Sequence, residues 1–262
     1  DLTEARDTEG ILRVVSTVIG LRNQADIAGI AQTLSDRPRT LLILDNFEQV
    51  VEHAAATVGS WLQRAPEARF LVTSRARLNL EGERLFPLDP LPVAEAVRLF
   101  EDRSRAARPG FRITDADRAT VEEIVGRLDC MSLAVELAAA RVRVLSPEKL
   151  LARLSQRFKL LSGGRRDQAA RQATLRGAID WSWELLRPWE QAALAQCSVF
   201  RGGFTLEAAE AVLDLESWEE SPWAMDVVQS LVDQSLVRVR EPRPGCERFA
   251  LYESIREYAA EK

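Results

Sequence analysis

Lysine is nearly missing from this chain; it occurs only at positions 149, 159 and 262. The other cations are arginines, and acids outnumber them enough to leave a formal net charge of −5. No basic excess exists to neutralise a phosphate backbone, which argues against nonspecific nucleic-acid binding. Cysteine is also sparse. Cys130, Cys197 and Cys246 are odd in number and far apart, so neither a disulfide framework nor a metal knot is implied. His53 is the sole histidine, which weakens any zinc site. No apolar run approaches the roughly 20 residues of a membrane span, and no signal-peptide pattern opens the chain. A cytoplasmic protein is therefore expected. Finally, no G-x-x-x-x-G-K-[ST] occurs, and no glycine is followed by lysine. The backbone cradle that such a loop offers to phosphates is not encoded in these residues.

What is present is the other half of a nucleotide site. Leu41-Leu42-Ile43-Leu44 ends in Asp45-Asn46, and Phe70-Leu71-Val72 ends in Thr73-Ser74-Arg75. An apolar run that stops abruptly in polar residues predicts a fully buried parallel strand delivering chemistry at its carboxyl end. A carboxylate in that place suits Mg²⁺, a hard cation that wants oxygen ligands. A planar guanidinium suits bidentate phosphate contact, and Thr73 and Ser74 would orient it or reach a phosphate. Glu48 either polarises a water or caps the next helix.

Around these strands the apolar spacing is helical. Ile11, Val14, Val15, Val18 and Ile19 share one face, as do Ile27, Ile30, Ala31 and Leu34, and then Val50, Val51, Ala54, Val58, Trp61 and Leu62. A third strand is predicted near 84–88. Helix and strand in alternation imply crossovers and a parallel sheet over residues 1–91. From 92 to 163 the strand signal is gone. Thr114-Asp115-Ala116-Asp117 starts a helix with an acidic first turn, another covers about 132–144, and Ser146-Pro147 opens a fourth. These make a helical bundle, and Gly163-Gly164-Arg165-Arg166-Asp167 reads as a linker. Residues 164–262 give helices near 174–185, 188–198, 206–214 and 223–234. Short strands follow at 236–240 and 247–251, then a closing helix from 253: a winged-helix pattern. Trp181, Trp183, Trp189, Trp218 and Trp223 sit in helical settings that call for packing rather than base stacking.

Strand with Asp, strand with Ser-Arg, bundle and winged helix, in that order, resemble the signal-transduction ATPases with numerous domains, the AP-ATPase or NB-ARC class. LLILDNFEQV at 41–50, FLVTSR at 70–75, LAVELAAARVRVLSP at 133–147, TLRGAIDWSWELL and SVFRGGFTLEAAEAV are similar to bacterial regulators that fuse this ATPase to kinase, cyclase or transcription-regulating domains. The resemblance implies a fold of α/β plus all-α class: a partial parallel P-loop NTPase sheet, a helical bundle and a winged helix. It also implies ATP or ADP with Mg²⁺ as ligand of the complete protein. By that resemblance Asp45 is the Walker B carboxylate, Asn46 stands where many members have a second acid, and Arg75 is the phosphate sensor. Cys130-Met131-Ser132-Leu133-Ala134 occupies the Gly-Leu-Pro-Leu-Ala motif, with Ser132 in place of the adenine-packing proline and Cys130 in place of the glycine. Leu251-Tyr252-Glu253 aligns with Met-His-Asp, placing Tyr252 where the family's histidine touches ADP.

In that family the phosphate loop lies upstream of the position that Asp1 occupies. The expectation is therefore a fragment of a longer regulator, weak in nucleotide binding and inactive as an ATPase alone. Its expected partners are the phosphate-loop segment and fused output domains. Two other readings remain: a scaffold that lacks the phosphate loop by nature, and a regulator that reads DNA through its winged helix.

Overall fold

The computed structural model describes residues 1–21, 26–37, 39–154, 161, 175–218, 222–243 and 246–262. The linker expected at 163–167 lies outside them. The described chain divides into two compact units, residues 1–86 with 233–235, and residues 87–232 with 236–262.

In the first unit, α1 (Thr8–Ile19) and α2 (Ile27–Ser35) begin alike, with the Asp7 and Asp26 carboxylates accepting from Gly10 N and Gly29 N at 2.8 and 2.7 Å. An aspartate at this place satisfies an amide that the first helical turn leaves orphaned. The strands β1 (Leu41–Leu44) and β2 (Arg69–Val72) pair in parallel, with Leu42 opposite Phe70 and Ile43 opposite Leu71. The crossover between them is not the regular helix that the spacing predicts. A 3-10 turn at Phe47–His53 breaks at Val50, a π turn follows at Ala55–Gly59, and only Ser60–Arg64 (α3) is α-helical. Trp61 is fully buried, stacks on Phe70 at 6.2 Å, and donates its indole N–H to Ile27 O at 3.2 Å.

Two expectations fail in this unit. The segment near 84–88 forms no strand, and Phe86 and Leu88 are exposed. The β1 and β2 runs are buried on one face only. Leu42 and Leu44 enter the core, while Leu41, Ile43 and Leu71 stand 58%, 59% and 53% exposed. The reason is stoichiometric. A parallel sheet needs cover on both faces, and two strands with helices on one side leave the other bare.

The second unit has one continuous core. Helix α4 (Val93–Ala107) packs on α5 (Asp115–Arg127) and on α6 (Ser132–Ala140), and α5 packs on α7 (Pro147–Leu151). The expected start of α5 is a full capping box, in which Thr114 and Asp117 exchange bonds. The winged helix follows as α8 (Leu175–Glu184), α9 (Pro188–Cys197), α10 (Leu206–Val212), α11 (Ala224–Asp233), an antiparallel β3 (Val237–Arg243) and β4 (Cys246–Leu251), and α12 (Glu253–Ala259). Phe204 bridges to Phe249 and adds a third, minimal strand. Gly203 makes this possible. At φ +100, a Cβ there would meet Phe249 O at 2.8 Å. The buried Glu190 carboxylate accepts from Arg187 N at 2.7 Å and from the Ser230 hydroxyl, tying α9 to α11. Trp183, Trp189 and Trp218 pack against this core as expected, whereas Trp223 is 61% exposed.

Candidate functional site

The parallel pairing of β1 and β2 continues past their last residues. Thr73 N donates to Leu44 O, and Phe47 N donates to Thr73 O, both at 3.0 Å. Asn46 takes a left-handed conformation at φ +63, which Asn tolerates better than most residues. Its amide donates to Thr73 Oγ1 at 3.1 Å, and the Thr73 hydroxyl in turn donates to the Asp45 carboxylate. Asn46 Nδ2 reaches Asp1 Oδ1 at 2.9 Å and Asp45 Oδ2 at 3.4 Å. Asp45 and Thr73 are both exposed. The Ser74 hydroxyl is engaged locally, accepting from Ala76 N at 3.1 Å. Arg75 Nε lies 3.7 Å from Glu48 Oε1.

Asp45, Asn46, Thr73, Ser74 and Arg75 thus gather where the two strands end. Glu48 does not act as the helix cap that its position suggests. Its carboxylate lies beside Arg75, and no side-chain cap bond is made at the start of the turn that carries it. Chemically, the cluster offers one accessible carboxylate braced by a hydroxyl, and a guanidinium close by. Among the described residues no three His, Cys, Asp or Glu side chains gather to hold a metal by themselves. A lone strand-end carboxylate fits a Mg²⁺ held through water in a nucleotide complex, with most of its ligands coming from phosphate and solvent.

Ser132 and Tyr252 belong to the second unit. Ser132 is the first residue of α6 and lines a shallow cleft with Leu91, Glu95, Arg98 and Glu136. Tyr252 is the N-cap of α12, and its ring lies under the Arg238 guanidinium at 4.7 Å. Burial pushes its phenol above the usual range. What links the two neighbourhoods is Asp129, which the sequence reading passed over. It sits at φ +54, directly before Cys130 at φ +53. Its carboxylate accepts from Glu253 N at 2.8 Å and from Ser254 N and Oγ at 3.4 Å, with Arg238 3.9 Å away. The cap of the last helix is therefore supplied by the bundle and not by Glu253, which instead pairs with Arg256 within its own helix. The available signal was an aspartate followed by a position that the resemblance reserves for glycine.

Comparison with known proteins adds the following. A family profile described as a winged helix-turn-helix domain matches residues 186–262. A Mycobacterium tuberculosis protein named "Putative HTH-type transcriptional regulator Rv0890c" is 37% identical over all of this chain, and the chain spans 30% of its length. "Uncharacterized protein Rv0894" of the same organism is 35% identical over all of this chain, which covers 67% of it. A crystal structure of a Signal Transduction ATPase with Numerous Domains protein with a tetratricopeptide repeat sensor, from Pyrococcus horikoshii, aligns over 96% of this chain and 34% of its own. Its sequence identity is 16% and its TM-score 0.34, too low to carry an argument. Among the described residues no helix is long and apolar enough to cross a membrane.

Proposed function

We propose, from the premise that this chain belongs to the family of the mycobacterial protein Rv0894, that it is the sensing and clamping portion of a nucleotide-dependent switch in a transcription-regulating protein. The ligand in this reading is ATP or ADP with Mg²⁺. The observation that carries it is the extended ladder from Leu44 to Thr73 and on to Phe47, which sets Asp45, Thr73 and Arg75 at one end of a parallel pair. Ligand sites of parallel α/β sheets lie at that end.

In this reading Asp45 orients a water on the cation, and Thr73 holds the carboxylate in place through its hydroxyl. Arg75 supplies charge to a terminal phosphate and so distinguishes two nucleotide states by differential contact, as any switch must. The phosphate cradle comes from polypeptide outside these residues. That same polypeptide covers Leu41, Ile43 and Leu71, whose exposure on a parallel sheet favours a partner layer. The winged helix then serves as an internal clamp. Its α11 exposes Met225, Asp226 and Gln229, no cation among them, where a groove reader would present arginine or lysine to DNA.

The test is titration of labelled ATP and ADP against this chain and against the same chain extended upstream through a phosphate loop. Gain of binding on extension, lost again in Asp45→Ala, is expected. Tight binding by the short chain, or indifference of the extended one to Asp45→Ala, refutes the reading. A second reading, direct DNA binding, is favoured by the winged helix-turn-helix match at 186–262. It requires strongly salt-dependent binding by this unit.

A further inference from the structure

The Glu48–Arg75 pair joins a buried acid to a partly exposed arginine. Glu48 is the buried partner, its side chain only 8% exposed, whereas Arg75 is 36% exposed. The backbone around Thr73 brings the two side chains close. Thr73 N bonds to Leu44 O, and Phe47 N bonds to Thr73 O, so the 3-10 turn that carries Glu48 begins beside the end of β2. Glu48 and Arg75 each follow one of these bonded residues by one or two positions. The strand ends therefore bring the two side chains within reach of one another.

A buried carboxylate next to an arginine expected to bind phosphate has a chemical consequence. Carboxylate and phosphate compete for the same planar donor set. Only one can hold the exposed edge of the guanidinium well. We infer that Glu48 is a positioning residue acting as a built-in competitor for phosphate: it holds Arg75 in the unliganded state and yields it when an anionic ligand arrives. The inference rests on the phosphate-sensing reading of Arg75 and adds its regulation. On exchange, Glu48 is left buried without that partner, which is unfavourable, so it must move toward solvent. The segment that carries it is suited to shifting. It is a 3-10 turn with a non-helical break at Val50 (φ −127, ψ 21), followed by a π turn, irregularities of the kind that recur at functional sites. Arrival of phosphate at the strand ends is thus converted into a rearrangement of residues 47–59.

The experiment uses this chain, with inorganic tripolyphosphate as the probe at concentrations high enough to read the weak binding expected without the phosphate cradle. Binding is followed by NMR of the arginine side-chain Nε–H signals in wild type, Glu48→Gln, Arg75→Gln and the double variant. In parallel, the rate of Arg75 modification by phenylglyoxal is mapped by mass spectrometry, with Arg98 as internal reference. Loss of a half-exposed ion pair predicts about a fivefold gain in tripolyphosphate affinity for Glu48→Gln, and a similar acceleration of Arg75 labelling. Both gains vanish in the double variant. If Arg75→Gln weakens binding but Glu48→Gln changes neither affinity nor labelling, the competitor role is overturned while phosphate sensing stands. If tripolyphosphate neither binds in an Arg75-dependent way nor protects Arg75 from labelling in Glu48→Gln, the phosphate reading itself falls, and the inference with it.

Discussion

Asp129→Ala is expected to destabilise the second unit by about 2–4 kcal/mol, and the sum can be built from its contacts. The carboxylate accepts from Glu253 N at 2.8 Å and approaches Ser254 N and Oγ at 3.4 Å, and Ser254 is fully buried. Loss of a capping side chain at a helix start typically removes about 1 kcal/mol, and loss of a negative charge from the first turn a further ~0.3–1 kcal/mol. Buried donors left without an acceptor add about 1–3 kcal/mol. Alanine also tolerates the φ of +54 less well than aspartate does. These terms overlap, which is why the expected total lies below their maximum. The assay is urea unfolding followed by tryptophan fluorescence, comparing wild type, Asp129→Ala and Asp129→Asn. Asparagine keeps an oxygen acceptor and the left-handed backbone, so it should restore at least half of the loss. A change below about 0.5 kcal/mol for Asp129→Ala, the range of an ordinary surface substitution, would refute the claim that this carboxylate holds the last helix to the bundle. So would an asparagine variant no better than the alanine.

Three further outcomes are expected. Ile43→Thr with Leu71→Thr should raise the solubility of this chain while shifting its unfolding midpoint little, since both side chains are more than half exposed and threonine suits a strand; a large loss of stability, measured by the same urea assay, would mean that they are packed. Cys197 is buried, and that burial pushes its thiol up to about 12, so it should resist Ellman's reagent at pH 8 in the native protein and react only in denaturant; rapid native labelling contradicts this. Tyr258 is raised above the ordinary 10.0 by burial and by its hydrogen bond to Asp180. Its neutral form is favoured by the fold, so stability is fully present below about pH 10 and declines as the unfolded phenol ionises; Tyr258→Phe should flatten that alkaline decline, at the expense of about 1 kcal/mol near neutrality, in urea titrations across the pH range.

The order of elements was legible because each carries its own local signal. Thr114 with Asp117, Ser146 before Pro147, and Thr205 before α10 all cap as their chemistry dictates. The strand ends at Asp45 and Thr73 were legible because apolar runs stop there. What could not be read was pairing across distance. Glu48 sits in the first turn of a helical segment, where an acid usually serves the helix, and only the register of β1 with β2 reveals Arg75 as its partner. The cap of α12 comes from Asp129, far from that helix in sequence, where no local signal marks it. The third strand near 84–88 failed for a related reason. Its composition suits a strand, but a strand exists only with a bonded neighbour, and no described residue offers one.

The two units differ in how complete they are, and this bears on how such a switch could store its energy. The second unit closes its own core, with Leu128, Leu150, Leu231 and Tyr258 all buried. The first leaves Leu41, Ile43 and Leu71 half bare on a sheet type that elsewhere is covered on both faces. Covering three such side chains stabilises by about 1 kcal/mol or more each, given roughly 25 cal/mol per Å². That is a substantial fraction of the roughly 5–15 kcal/mol typical of a whole domain. If the covering layer also carries the phosphate cradle, as the proposed function holds, then completing the sheet and completing the ligand site are one event. Folding stability of the first unit and nucleotide affinity would rise together, and tight nucleotide binding would be confined to a molecule whose sheet is already closed. A ligand site assembled in this way would hold nucleotide tightly only once its covering layer is in place, so that occupancy would report a closed sheet.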